Sequence, residues 1–138
     1  MLRIVVDTNV FVSSFIQKSY PFFIVNSFLT ENKIQLCISE VVLKEYFDVL
    51  HRDKFSKYPD FILRAEIALT EIESKAKIFL PKRKLKIIRD LSDNKFLELA
   101  AESKAAFLIT GNTNDFKMKS FRKTKIVSPK DFWEQFSK

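Results

Sequence analysis

Short β-branched runs alternate along this chain with longer stretches in which apolar residues recur every three or four positions. Leu2-Arg3-Ile4-Val5-Val6 is almost continuously apolar, the pattern of a strand covered on both faces in a parallel sheet. Ile34 to Ile38 and Ala105 to Ile109 read the same way, and Ile126-Val127 is a shorter run near the end. Strands separated by helical segments predict an α/β fold.

The helical segments carry their own punctuation. Ser39 is placed to cap a helix running to about His51, in which Glu40, Lys44, Asp48 and His51 make one solvated stripe. Glu45 is off that stripe. Its neighbours one turn away are Val41, Val42 and Val49, so the spacing aims this carboxylate into apolar surroundings, where it needs a partner. Pro59 is placed to open a long helix with apolar positions at Ile62, Ala65, Leu69, Ile72, Ala76 and Phe79. Ser92-Asp93-Asn94 opens another, with Lys95, Glu98 and Glu102 on the wet side and Phe96, Leu99, Ala100 and Ser103 on the dry side. Asp93 projects toward the dry side. Ser128-Pro129-Lys130-Asp131 combines a cap, a proline in the first turn and an acid three residues on, so a final short helix docks through Phe132, Trp133 and Phe136.

Composition narrows the chemistry. At 138 residues and 46% hydrophobic, the chain is expected to form one domain over residues 1–138. Its single glycine excludes glycine-rich phosphate loops and the dinucleotide fingerprint, each of which needs two or more. One cysteine and one histidine cannot build a zinc ligand set, and Cys37 alone cannot close an intramolecular disulfide. Cys37 reads as a small apolar filler, and His51 as part of the solvated stripe. No apolar run approaches 18 residues and the amino terminus is unlike a secretory signal, so no membrane partner and a cytoplasmic location are expected. The formal net charge of +7, with a pI near 9.5, favours a polyanion such as a nucleic acid.

Ligands in open α/β sheets bind beyond the carboxyl ends of the strands, which singles out a few of the 17 acids. Asp7 directly follows the first strand, and Asp115 lies in the segment after the Ala105 to Ile109 strand, beside the lone Gly111. With Glu45 and Asp93 on inward helical faces, four carboxylates can meet in one pocket. Four like charges cannot share it unless protons or cations neutralise them. Oxygen-only ligands imply Mg²⁺ or Mn²⁺, ions suited to phosphodiester hydrolysis. Each acid also has a plainer use: Asp7 and Asp93 as helix caps, Glu45 in a buried ion pair, Asp115 in a turn. A basic run at Lys82, Arg83, Lys84, Lys86 and Arg89 precedes the Asp93 helix. A second at Lys117, Lys119, Arg122, Lys123 and Lys125, interleaved with Phe116, Met118 and Phe121, is expected to hold single-stranded RNA across the pocket mouth, or to be a solvated face.

The pieces Val5-Val6-Asp7-Thr8-Asn9-Val10, Ser39 to Glu45, Asp93 to Ala100 and Leu108 to Phe116 together resemble the PIN-domain family, in order and spacing, over nearly the whole chain. The likeness is greatest to the VapC-like branch, toxin endoribonucleases of prokaryotic toxin–antitoxin pairs. It implies a three-layer α/β/α fold around a parallel sheet of about five strands. It places the family's catalytic and metal-binding acids at Asp7, Glu45, Asp93 and Asp115, with Thr8, Asn9, Thr110 and Asn112 in support. Many members of the branch carry Asp where Asn112 stands, so the implied Mg²⁺ or Mn²⁺ content is one firm site, with a second left open. A homodimer and a cognate antitoxin are implied as well. Two other readings stay in play. Asp7 at the end of a first strand also suits aspartyl phosphotransfer of the haloacid-dehalogenase kind, against which Asn9 stands where that chemistry wants a second acid. A domain that binds RNA or an antitoxin without cutting is the other.

Overall fold

The computed structural model describes residues 1–82, 93–111 and 119–137. Strand β1 (Leu2–Val6) leads into helices α1 (Thr8–Ser13) and α2 (Tyr20–Thr30), then β2 (Ile34–Ile38) and α3 (Glu40–Leu50). A 3-10 turn at Asp53–Phe55 precedes α4 (Phe61–Lys75) and β3 (Lys77–Ile78). The remainder is α5 (Asn94–Ser103), β4 (Phe107–Ile109), β5 (Ser120–Phe121), β6 (Thr124–Val127) and α6 (Pro129–Phe136).

The strands form one six-stranded sheet in the order β3-β2-β1-β4-β6-β5. Every pairing is parallel except that of β5 with β6. The α/β expectation therefore holds, with six strands rather than five. The extra one is β5, a two-residue edge strand that turns back on β6 through Arg122 and Lys123. That basic segment reads as a surface track in sequence because a two-residue strand carries too little periodicity to be seen, and Arg122 takes a positive φ of 54° to make the turn.

β1 is central, so its apolar run is buried from both sides: Ile4, Val5 and Val6 are all at most 2% exposed. From β1 the chain builds outward to β2 and β3 on one flank, then returns to β4 on the other. Helix α5 makes that return and packs against β1, β2 and β4, while α2 and α4 reach β2. With right-handed crossovers, the reversal puts α5 on the face opposite α2 and α4.

Two helical expectations shift. The α4 helix begins at Phe61 rather than Pro59, because Asp60 ahead of it sits in the left-handed region at φ 57°. Its buried face is accordingly Phe61, Ala65, Ala68, Leu69 and Ile72, while Ile62 is 41% exposed. The helix also stops at Lys75, before the predicted Ala76 and Phe79. From there the chain pairs with the open edge of β2, Phe79 N–H donating to the Ile38 carbonyl at 2.8 Å and the Gln35 side chain to the Lys75 carbonyl at 3.1 Å. Unsatisfied backbone at a sheet edge outweighed two more apolar beats of helix. Among the described residues, no helix is long and apolar enough to cross a membrane.

Tyr46 joins the first helical layer to the sheet. It is fully buried in α3, donates its hydroxyl to the Val6 carbonyl, and stacks on Phe11 of α1 with centroids 4.3 Å apart. Burial holds its phenol well above the ordinary pKa, so it serves as a neutral donor. Tyr46→Phe keeps the ring stack and removes the donor. It is expected to cost about 1–2 kcal/mol in a denaturant titration, with the slope unchanged.

Candidate active site

The sheet order makes the carboxyl ends of β1 and β4 a crevice, since the chain leaves β1 toward one flank and arrives at β4 from the other. Asp7 stands at that point. Its backbone N–H donates to the Ile109 carbonyl at 3.0 Å, continuing the ladder one step past the strand. Its side chain does two jobs: one oxygen accepts from Val10 N–H at 2.8 Å and caps α1, while the other accepts from the Thr110 hydroxyl. The capping use is therefore real and coexists with a place in the pocket.

A cavity of about 150 Å³ opens beside it, with room for several ordered waters or a hydrated ion. Asp7, Glu45 and Asp93 all line it. Thr8, Asn9 and Arg52 supply the rest of the polar wall, and Val49 and Phe96 the apolar part. The structure thus brings three of the four expected acids together from β1, α3 and the cap of α5. Asp115 and Asn112 lie outside the described residues.

Asp7 is only 6% exposed, and its pKa is raised chiefly by that burial and further by the charge of Glu45. The Thr110 hydroxyl and the N–H groups of Val10 and Gly111 pull the other way. Glu45 is less enclosed than its valine neighbours imply, with a side chain 27% exposed, because Val41 on the preceding turn is itself 55% exposed. One of its oxygens accepts from the Thr8 hydroxyl, and the other lies 2.5 Å from the ammonium of Lys95. Asp93 holds the N-cap position of α5 at φ −86° and makes no side-chain cap bond.

The supporting residues are redistributed. Thr110, fully buried, is the group that orients Asp7, whereas Thr8 serves Glu45, and Asn9 is exposed at the rim. Two cations escape the sequence reading. Arg52 lies just past α3 with no local pattern to mark it. Lys95 counts in sequence among the wet residues of α5, yet its side chain is only 18% exposed. The available signal was a lysine two positions after Asp93 in a helix's first turn, where the dipole disfavours a cation.

Of the second basic run, the described Lys119, Arg122, Lys123 and Lys125 do not line the pocket. Arg122 and Lys123 form the β5–β6 turn and Lys125 pairs with Phe107, all toward the end of the sheet where the parallel strands begin. Lys119 precedes the outermost strand, three strands from β1, and Lys117 lies outside the described residues. Of the first run, Lys82 is exposed, and Arg83, Lys84, Lys86 and Arg89 lie outside the described residues.

The PIN-domain family profile matches residues 3–114, which span every acid the described pocket contains. The chain belongs to the PIN-domain family. This PIN domain is 32% identical over 145 residues to an uncharacterized protein of Methanocaldococcus jannaschii, an alignment covering 99% of the chain and 93% of that relative. Its fold is similar to a chain in the crystal structure of VapBC2 from Rickettsia felis bound to a DNA fragment from their promoter, with a TM-score of 0.58 at 17% identity, covering 91% of this chain and 97% of that one. It is also similar to a chain of VapBC-1 from nontypeable Haemophilus influenzae, again at 0.58, with 13% identity over 94% of this chain and 99% of the other. PIN domains are generally nucleases that depend on divalent metal ions.

The donor chemistry fits such an ion, since every acid lining the pocket offers hard oxygen and Asp7 carries a charge that burial leaves poorly compensated. Among the described residues, no group of three His, Cys, Asp or Glu side chains is gathered tightly enough to hold a metal by itself.

A raised pKa ties stability to pH. The extra stability that goes with neutral Asp7 is complete below the ordinary carboxylate range and is lost as pH rises through its raised folded value. Asp7→Asn keeps an oxygen for the Val10 cap and has no charge to bury. In metal-free protein at pH 7 it is expected to melt roughly 2–5 °C above the parent, an advantage that shrinks toward zero below about pH 4. A melting series across that range reads both.

Proposed function

We propose that this PIN domain is a metal-dependent endoribonuclease that hydrolyses RNA phosphodiester bonds and acts as the toxin of a toxin–antitoxin pair. The observation that carries the reading is the meeting of Asp7, Glu45 and Asp93, from three separate elements, in one pocket at the crevice of the sheet. Asp7, Glu45 and Asp93, with Asp115 six residues beyond β4 in the sequence, are the residues to hold Mg²⁺ or Mn²⁺. When bound, such an ion neutralises charge on the scissile phosphate and makes water a competent nucleophile near neutral pH. The chain's own groups prepare that event. Thr110 and the α1 cap fix both oxygens of Asp7, and Thr8 fixes one of Glu45. Arg52, exposed at the wall, is placed to take a phosphate of the strand, while Val49 and Phe96 limit the water that enters.

The positive charge of the chain supports an RNA partner, although the described basic residues near β5 and β6 do not flank the pocket. An antitoxin partner is supported by the fold likeness to chains solved as VapBC complexes and by an apolar groove of about 240 Å³ where Phe15, Phe22, Leu29 and Ile67 meet. A homodimer is part of the same proposal.

Purified protein on a mixed panel of tRNA, rRNA and messenger RNA with Mn²⁺ is the direct test. We expect cleavage that EDTA abolishes, and a loss of at least about 100-fold in Asp93→Asn, which removes one ligand charge. Cutting that persists in chelator, or in Asp93→Asn at the parental rate, overturns the metal mechanism; no cutting alongside tight RNA binding supports the non-catalytic alternative. Arg52→Ala is expected to weaken RNA binding and to reduce the slope of log affinity against log salt by about 1, as loss of one phosphate contact does. An unchanged slope removes Arg52 from the RNA path.

A further inference from the structure

Lys95 is in an unfavourable place for an ammonium. It lies in the first turn of α5, at the positive end of the helix, just after the N-cap Asp93. Its side chain is 18% exposed, so the charge has also given up most of its water. A lysine on a surface helix has extended rotamers that avoid both costs. It instead turns inward to within 2.5 Å of one Glu45 oxygen, with the ring of Phe96 5.9 Å from the ammonium. Since the Thr8 hydroxyl occupies the other Glu45 oxygen, both are engaged by the protein itself.

That arrangement gives a physical reason why three acids line the pocket without forming a three-ligand cluster among the described residues. We propose that Lys95 is a built-in cation for Glu45, which competes with divalent metal for that carboxylate and limits the pocket to one tightly held ion. The proposal rests on the metal-dependent reading above. Lys95 is then a positioning residue: it steadies Glu45 before any ion arrives and sets how much positive charge the pocket still accepts. It bears on the second metal that the resemblance leaves open, without calling on Asn112.

The test is a calorimetric titration of the full chain with MnCl₂, free of RNA, beside Lys95→Gln, Lys95→Met and Lys95→Arg. Gln and Met remove the charge in two shapes, and Arg retains it. We expect one ion in the parent and in Lys95→Arg. In Lys95→Gln and Lys95→Met we expect a second ion, or binding at least about tenfold tighter, because a unit positive charge within hydrogen-bond distance of a ligand oxygen has gone. Both are also expected to melt lower than the parent in EDTA and to gain more from Mn²⁺ than it does. A purely structural ion pair gives the opposite pattern, with Gln and Met binding Mn²⁺ as the parent does or more weakly, and that result overturns the proposal. Should neither the parent nor any variant bind Mn²⁺, the metal reading itself falls and takes this inference with it. Parent binding with unchanged variants removes the inference alone.

Discussion

The burial of one negative charge at the end of the central strand organises the rest of this molecule. Asp7 follows three residues that the sheet encloses completely, and it is itself nearly as enclosed. A carboxylate there is tolerable only if its surroundings supply donors. They come from two directions, the opening turn of α1 and the residue after β4. The first fixes where α1 starts and the second fixes how β4 is placed beside β1. Tyr46, bonded to the carbonyl immediately before Asp7, then sets α3 against the same strand end, and with it the adjacent Glu45. Pocket and fold are thus specified by overlapping contacts.

Charge distribution in the pocket follows from the same constraint. Three acids in a small volume repel one another, and among the described residues the protein answers with Arg52 in the pocket wall and Lys95 against Glu45. Of the described basic residues, Arg122, Lys123 and Lys125 lie at the β5–β6 edge and do not line the pocket.

Legibility from sequence tracked the length of the signal. The strand at Leu2–Val6, the Ser39 cap, the buried face of α5 and the Ser128-Pro129 helix start are all where periodicity and capping chemistry place them. Helical phase and strand position brought Asp7, Glu45 and Asp93 forward as a set, and the pocket contains all three. Two-residue strands were invisible, because β3 and β5 exist through pairing with neighbours and not through any pattern of their own. Lys95 was misread because a stripe of polar positions cannot say which member folds inward to meet a charge on another helix. Pairs of that kind are tertiary facts.

The bond between Thr110 and Asp7 joins residues 103 positions apart. A bond of such long range forms only once the long stretch of chain between its ends has been closed into place. Until β4 has docked, Asp7 lacks one of its donors. A nascent or partly unfolded chain therefore carries the acids without the site. An opening that separates β4 from β1 takes the Thr110 donor from Asp7 while the Tyr46 bond to Val6 can persist, so the acid at the strand end is loosened ahead of the helix that packs on it.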